Sequence, residues 1–187
     1  MIQTNWIIFT GAASSGKSTI ISLLSQKGYT VKQEIMREYF FNKYGNNIPI
    51  DEIPWSSPSF QSELLSLKME RERSLDPKQI IIFDRGVFDV YAYASLKGIL
   101  KEEIYVEQPY RYKAVFLFEN LPIVYDDIRR ESEEDAILQH EALISSYEYF
   151  GYTLFRVPKY TAIKEESISF RLNFLEKKIN RIFLDIK

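Results

Sequence analysis

The sequence predicts an α/β fold, a parallel sheet of five strands with helices on both faces. Two features point to it. Five short apolar runs, at 6–10, 29–33, 79–84, 113–118 and 152–158, alternate with stretches of helical character. A loop of small residues, "GAASSGKS" at 11–18, joins the first run to the first helix. Strands alternating with helices pair in parallel through right-handed crossovers, so the sheet is covered on both sides in three layers.

Each element has its own reason. "WIIFT" (6–10) is apolar and ends in small residues, as a buried strand does. After the loop, Ile20, Ile21, Leu23 and Leu24 recur at helical spacing, and Gly28 stops the helix. "YTVKQ" (29–33) is a second strand, and "EIMREYFFNKY" a helix running to Gly45. "NNIPIDEIPWSSP" holds three of the seven prolines and is a loop; a long helix follows from about Ser59 to Ser74. "QIIIFD" (79–84) is the plainest buried strand, with three consecutive Ile before an acid. "GVFDVYAYASLKG" is helical, with a short helical piece near 101–107, and "KAVFLF" (113–118) is the next strand. Ser132 and Asp135 make a capping-box start for a helix, with Glu133 and Glu134 at the dipole end that favours them. "YTLFRVP" (152–158) is the fifth strand, and 162–184 the closing helix. No repeat or linker interrupts the chain, so residues 1–187 are expected to form one domain, with a lid segment around 119–133.

Composition narrows the function. The chain is 45% apolar and 27% charged, and its 13 Tyr and 13 Phe argue against disorder. A net charge of −2 without a long basic run argues against nucleic acid as a partner. With no Cys there is no disulfide, thiolate nucleophile or Cys-bound zinc, and the lone His140 argues against a His-based metal site. The first apolar run is too short for a signal peptide or a membrane span, so a cytoplasmic location is expected.

The loop Gly11, Ala12, Ala13, Ser14, Ser15, Gly16, Lys17, Ser18 fits G-x-x-x-x-G-K-[ST], and Thr19 follows it. Glycines let backbone N–H groups turn inward around a phosphate, and small neighbours leave room for it. The helix N-terminus behind adds a favourable dipole. Lys17 is expected to bridge terminal phosphates, and the Ser18 hydroxyl to ligate Mg²⁺. Asp84 closes the third strand at the same sheet edge, where it would hold Mg²⁺ through a water. Glu34, Arg37 and Glu38 are spaced to share one face of the helix after the second strand. Glu34 there would accept a hydroxyl proton, and Arg37 would hold a polar or anionic group. Arg85 would bind a phosphate or position the acceptor, while Asp89 suits the helix dipole as well as any chemistry. Arg129 and Arg130, in "YDDIRRE", suit a lid that closes over the transferring phosphoryl group. Phe60 and Gln61 together suit stacking on and hydrogen-bonding a planar ring of the substrate, but Phe60 reads first as core and Gln61 as surface. His140 reads as a histidine without chemistry, and the Tyr147, Tyr149, Phe150, Tyr152 cluster as packing.

Taken in order, "TGAASSGKST", "QEIMREYF", "FDRGVFDVYAY", "RYKAVFLF", "YDDIRRESEEDA" and "YEYFGYTLFRVP" resemble the P-loop kinase superfamily. More narrowly, they resemble the AAA-type ATPase/kinase-like family that includes the ribosylnicotinamide kinase domain of the bacterial NAD-biosynthesis regulator. The resemblance implies strand order 2-3-1-4-5, Mg²⁺-dependent binding of ATP or GTP, and an arginine-bearing lid. It also implies a small-molecule kinase acting on a nucleoside-like hydroxyl. Because some relatives are GTP-binding trafficking factors, a regulatory NTPase switch with a protein or lipid partner is the alternative. The lid here reads "DDIRRE" where that family often has a Gly before its Arg, which leaves the choice between Arg129 and Arg130 open.

Overall fold

The computed structural model describes residues 1–45, 52–105, 107–121, 132–159 and 163–184. Five parallel strands form the main sheet: β2 (Trp6–Thr10), β3 (Val31–Lys32), β4 (Ile81–Asp84), β6 (Ala114–Phe118) and β7 (Leu154–Val157). Their order is β3-β4-β2-β6-β7, or 2-3-1-4-5 counted within that sheet. Around them run helices α1 (Lys17–Gln26), α2 (Ile35–Tyr44), α3 (Pro58–Arg73), α4 (Phe88–Ser95), α5 (Glu133–Tyr149) and α6 (Lys164–Leu184).

The central strand explains the layering. Every residue of β2 is buried, and its side chains alternate between two cores. Ile7 and Phe9 join Ile20, Ile21, Leu24, Leu175 and Ile179 under α1 and α6. Trp6 and Ile8 join Leu65, Met69, Phe88, Tyr91 and Tyr147 under α3, α4 and α5. A strand buried on both faces must read as continuous apolar residues, which is why this one was legible.

The edge strands are shorter than predicted. Only Val31–Lys32 of 29–33 is strand, and Phe155 and Arg156 in β7 are exposed. A second sheet went unpredicted: β1 (Ile2–Gln3) pairs in parallel with β5 (Tyr110–Arg111), too short for any periodicity to register. The helix starts follow their caps. Pro58 opens α3, with the Ser57 side chain accepting from the Phe60 N–H. Ser132 and Asp135 form the predicted capping box of α5.

Candidate active site

The small-residue loop lies between β2 and α1. Gly11 has φ +148°, and a Cβ there would meet the Phe118 carbonyl oxygen at 2.8 Å, so neither conformation nor space admits a side chain. The buried Lys17 ammonium donates to the Gly11 and Ala12 carbonyls at 2.7 and 2.9 Å and to Ser15 Oγ at 2.9 Å. Burial pulls its pKa down to about 7; Arg85 adds to this, and Asp84, Asp89 and Glu34 oppose it. The Ala13 N–H donates to Gln139 Oε1 of α5 at 3.2 Å, a link to the loop that the sequence did not suggest. Ser18 and Thr19 are exposed in the first turn of α1.

Asp84 ends β4 at the same sheet edge and is 5% exposed; burial raises its pKa. The chain then turns through Arg85, whose φ of +66° lies in the left-handed region. Its N–H donates to the Phe9 carbonyl at 2.9 Å, which pins the turn to the strand leading into the loop. Gly86 is forced by crowding: a Cβ would come within 2.9 Å of the Tyr147 hydroxyl and 3.2 Å of the Tyr112 ring.

Glu34 departs from expectation. It precedes α2 as its N-cap residue instead of sharing a helical face with Arg37 and Glu38. Its partners come from elsewhere: Lys68 Nζ on α3 donates to Oε1 at 2.8 Å, and Arg85 Nε lies 3.1 Å from Oε2. Burial alone would raise the carboxyl's pKa, but Lys68 and Arg85 together lower it, so it stays ionised. Oε2 is buried yet accepts no hydrogen bond despite the nearby guanidinium. Arg85 Nη1 also donates to the Tyr93 hydroxyl and to Asp89 Oδ1, the latter at 3.3 Å.

Asp89 lies in the first turn of α4, where a carboxylate suits the helix dipole, and it does more than that. It is 1% exposed and collects donors from three elements besides Arg85. Thr10 donates to Oδ1 at 2.7 Å, the Tyr147 hydroxyl to Oδ2 at 2.6 Å, and the Gly86 N–H to Oδ2 at 2.9 Å. The last residue of β2, the "DRG" turn and α5 are thereby tied to one carboxylate.

Other expectations fare differently. Gln61 is 3% exposed and its amide donates to the Trp55 carbonyl at 2.8 Å, so that group is committed to the preceding turn. Phe60 packs with Phe40 and Trp55 in a small core, as predicted. Tyr147 and Tyr152 are buried, but Tyr149 is 62% exposed, with the Lys101 ammonium over its ring. His140 Nε2 lies 3.5 Å from Glu119, and burial lowers its pKa. Arg129, Arg130 and the Arg37 side chain lie outside the described residues. Among the described residues no group of three or more His, Cys, Asp or Glu forms a metal cage. Ser18, in the first turn of α1, and Asp84, at the end of β4, both carry oxygens at this edge of the sheet. No helix among the described residues is long and apolar enough to cross a membrane.

Comparison with known proteins agrees with this geometry. A family profile described as an AAA domain matches residues 6–165. No curated protein sequence matches significantly. Among solved structures, the NadR protein in complex with NR superposes with a TM-score of 0.67 at 21% identity, over 96% of this chain and 51% of that one. The present chain thus spans about half the length of that protein. Deoxyadenosine kinase from M. mycoides superposes with a TM-score of 0.53 at 18% identity, over 95% and 99% of the two chains. Thymidylate kinase from Ehrlichia chaffeensis gives 0.55 at 17%, over 96% and 100%. The profile spans most of the 187 residues, and the chain therefore belongs to the AAA domain family and carries the kinase-like P-loop fold.

Proposed function

We propose that this chain is an Mg²⁺-dependent small-molecule kinase that transfers the γ-phosphoryl group of ATP to a nucleoside-like hydroxyl. In this reading it acts as one domain, in the cytoplasm, on a nucleotide and a small acceptor. The supporting observation is Glu34 Oε2, a buried carboxylate oxygen with no hydrogen bond, beside Arg85 and close enough for its field to reach Lys17 and Asp84. A buried lone pair left free at a phosphate-binding edge is well suited to an incoming hydroxyl.

The roles follow from chemistry. Residues Gly11–Thr19 offer backbone N–H groups to the phosphates, and Lys17 turns its ammonium from the loop carbonyls to the terminal phosphates. Ser18, and Asp84 through a water, would hold Mg²⁺, which would supply neutralising charge to the phosphates. Glu34 orients the acceptor hydroxyl, and Arg85, with Arg37, holds a polar group of the same molecule. As the acceptor oxygen bonds to the γ-phosphorus, the bond to the β–γ bridging oxygen breaks and ADP leaves. The hydroxyl proton passes to Glu34 late in the transfer. A strong base is not needed, because the transition state is loose and alignment carries most of the rate. Arg129 or Arg130 would stabilise the charge from the lid.

The test measures ADP and GDP release from ATP and GTP, with and without a panel of nucleosides, nucleotides and nicotinamide riboside. Acceptor-stimulated turnover, lost in Lys17→Ala, is the expected result. Slow turnover indifferent to every acceptor would overturn the kinase in favour of an NTPase switch.

A further inference from the structure

Arg171, on α6, is 2% exposed and is a cation the phosphate loop was not expected to use. Its guanidinium forks among three backbone carbonyls on three separate segments. Nη1 donates to Ser15 in the phosphate loop at 2.6 Å, Nη2 to Glu119 beyond β6 at 3.1 Å, and Nε to Pro158 beyond β7 at 2.8 Å. Ser15 sits between two left-handed residues, Ser14 at φ 61° and Gly16 at 82°. Such a backbone turns N–H groups to one side and needs its carbonyls satisfied on the other. Lys17 holds the Gly11 and Ala12 carbonyls; Arg171 holds that of Ser15. The two cations differ in one respect: Lys17 must release its carbonyls to meet a phosphate, whereas Arg171 has no such duty. The loop backbone also packs closely on it, since a Cβ at Gly16 would come within 3.2 Å of Nη1.

We propose that Arg171 is a positioning residue for the phosphate cradle, keeping the Ser15 carbonyl turned away from the bound phosphates while Lys17 moves. This rests on the nucleotide-binding reading above. Each of the three carbonyls is met by a different guanidinium nitrogen, and an ammonium has a single nitrogen that cannot stand in all three places, so lysine is not an equivalent replacement.

The experiment is calorimetric binding of Mg-ATP and of Mg-tripolyphosphate to the wild type, Arg171→Lys and Arg171→Gln, with circular dichroism and urea unfolding run alongside. Folded variants should bind ATP at least ten-fold more weakly. Tripolyphosphate affinity should fall in proportion, because the defect lies in the cradle and not in base recognition. A merely structural role would lower the unfolding midpoint and leave the dissociation constants of the folded protein unchanged. If the wild type binds ATP and both folded variants bind it within two-fold, the inference is overturned and the kinase reading stands. If neither variant folds, Arg171 supports the fold only, and the inference is again overturned. Absence of ATP binding by the wild type would overturn both.

Discussion

Asp89 offers the sharpest test of the site's construction. Truncation to alanine strands the Thr10 hydroxyl, the Tyr147 hydroxyl and the Gly86 N–H, three neutral donors at 2.6–2.9 Å. Each buried donor left unpaired costs about 1–3 kcal/mol. Arg85 loses one counter-charge but keeps Glu34 at 3.1 Å and the Tyr93 hydroxyl, which softens that loss. The lower end for each donor sums to about 3 kcal/mol, and Arg85's lost counter-charge brings the expected destabilisation for Asp89→Ala to about 3–5 kcal/mol. That is a large share of the roughly 5–15 kcal/mol of a typical domain. Asp89→Asn keeps the shape but turns one acceptor into a donor, facing either Tyr147 and Gly86 or Thr10 and Arg85, and should cost about 2 kcal/mol. Tyr147→Phe alone should cost about 1 kcal/mol, since Oδ2 retains the Gly86 N–H. The double variant Asp89→Asn/Tyr147→Phe should cost less than the sum, because Phe removes a donor that the new amide would oppose; the coupling should be about 1 kcal/mol. Urea unfolding at constant m-value measures all four proteins. A loss below about 1 kcal/mol for Asp89→Ala, or strict additivity in the cycle, would refute the hub.

Further expectations concern neighbouring groups. Glu72 is buried against Tyr112 and Gln108, with Lys68 and Arg71 nearby, and burial pushes its pKa from 4.5 to about 7. The folded state holds this proton more tightly, so the contribution is complete below pH 4.5 and lost as pH rises to about 7, up to about 3 kcal/mol in all. Glu72→Gln should flatten that slope in denaturation curves taken at several pH values; an unchanged slope would exclude Glu72 as its source. Glu34→Gln and Arg85→Lys should lower acceptor-stimulated kcat/KM by about a hundred-fold or more while changing the KM for ATP little. Equal losses in both constants would mean that the pair supports the nucleotide instead. Gly86→Ala should destabilise by about 1–3 kcal/mol through its 2.9 Å approach to the Tyr147 hydroxyl, and Tyr147→Phe should relieve part of this. An unfolding midpoint equal to the wild type's would contradict the crowding.

Legibility in the sequence followed physical cause. Central strands bury both faces and declare themselves as apolar runs, whereas β1 and β5 are two residues each and declare nothing. The phosphate loop is contiguous, so its residue types sufficed to find it. Glu34, by contrast, is placed by local spacing on one helical face with Arg37 and Glu38, whereas its partners are Lys68 and Arg85, brought in by α3 and the end of β4. Two of the donors to Asp89, Thr10 and Tyr147, come from 79 residues before it and 58 after, a separation that no local pattern reveals. Gln61 failed for the opposite reason: an amide beside an aromatic suggests a ligand, but a backbone carbonyl six residues away took it first. The requirement for glycine at 86 follows from tyrosines at 112 and 147, visible only once the chain has folded.

The charged groups around the sheet edge carry one more consequence. Lys17, Lys68 and Arg85 face Glu34, Asp84 and Asp89, so these six side chains, all ionised, cancel in formal charge, and Arg71 acts on Glu34 as well. Such an enclosure has no surplus negative charge to gather a bare cation ahead of time, and a naked polyphosphate would bring roughly twice the charge of its magnesium complex into a desolvated place. The metal and the nucleotide should therefore arrive as one preformed complex. Order of addition then becomes a matter of how much charge must be desolvated: free Mg²⁺ should give no measurable heat on titration, and chelating it should cost the nucleotide most of its affinity.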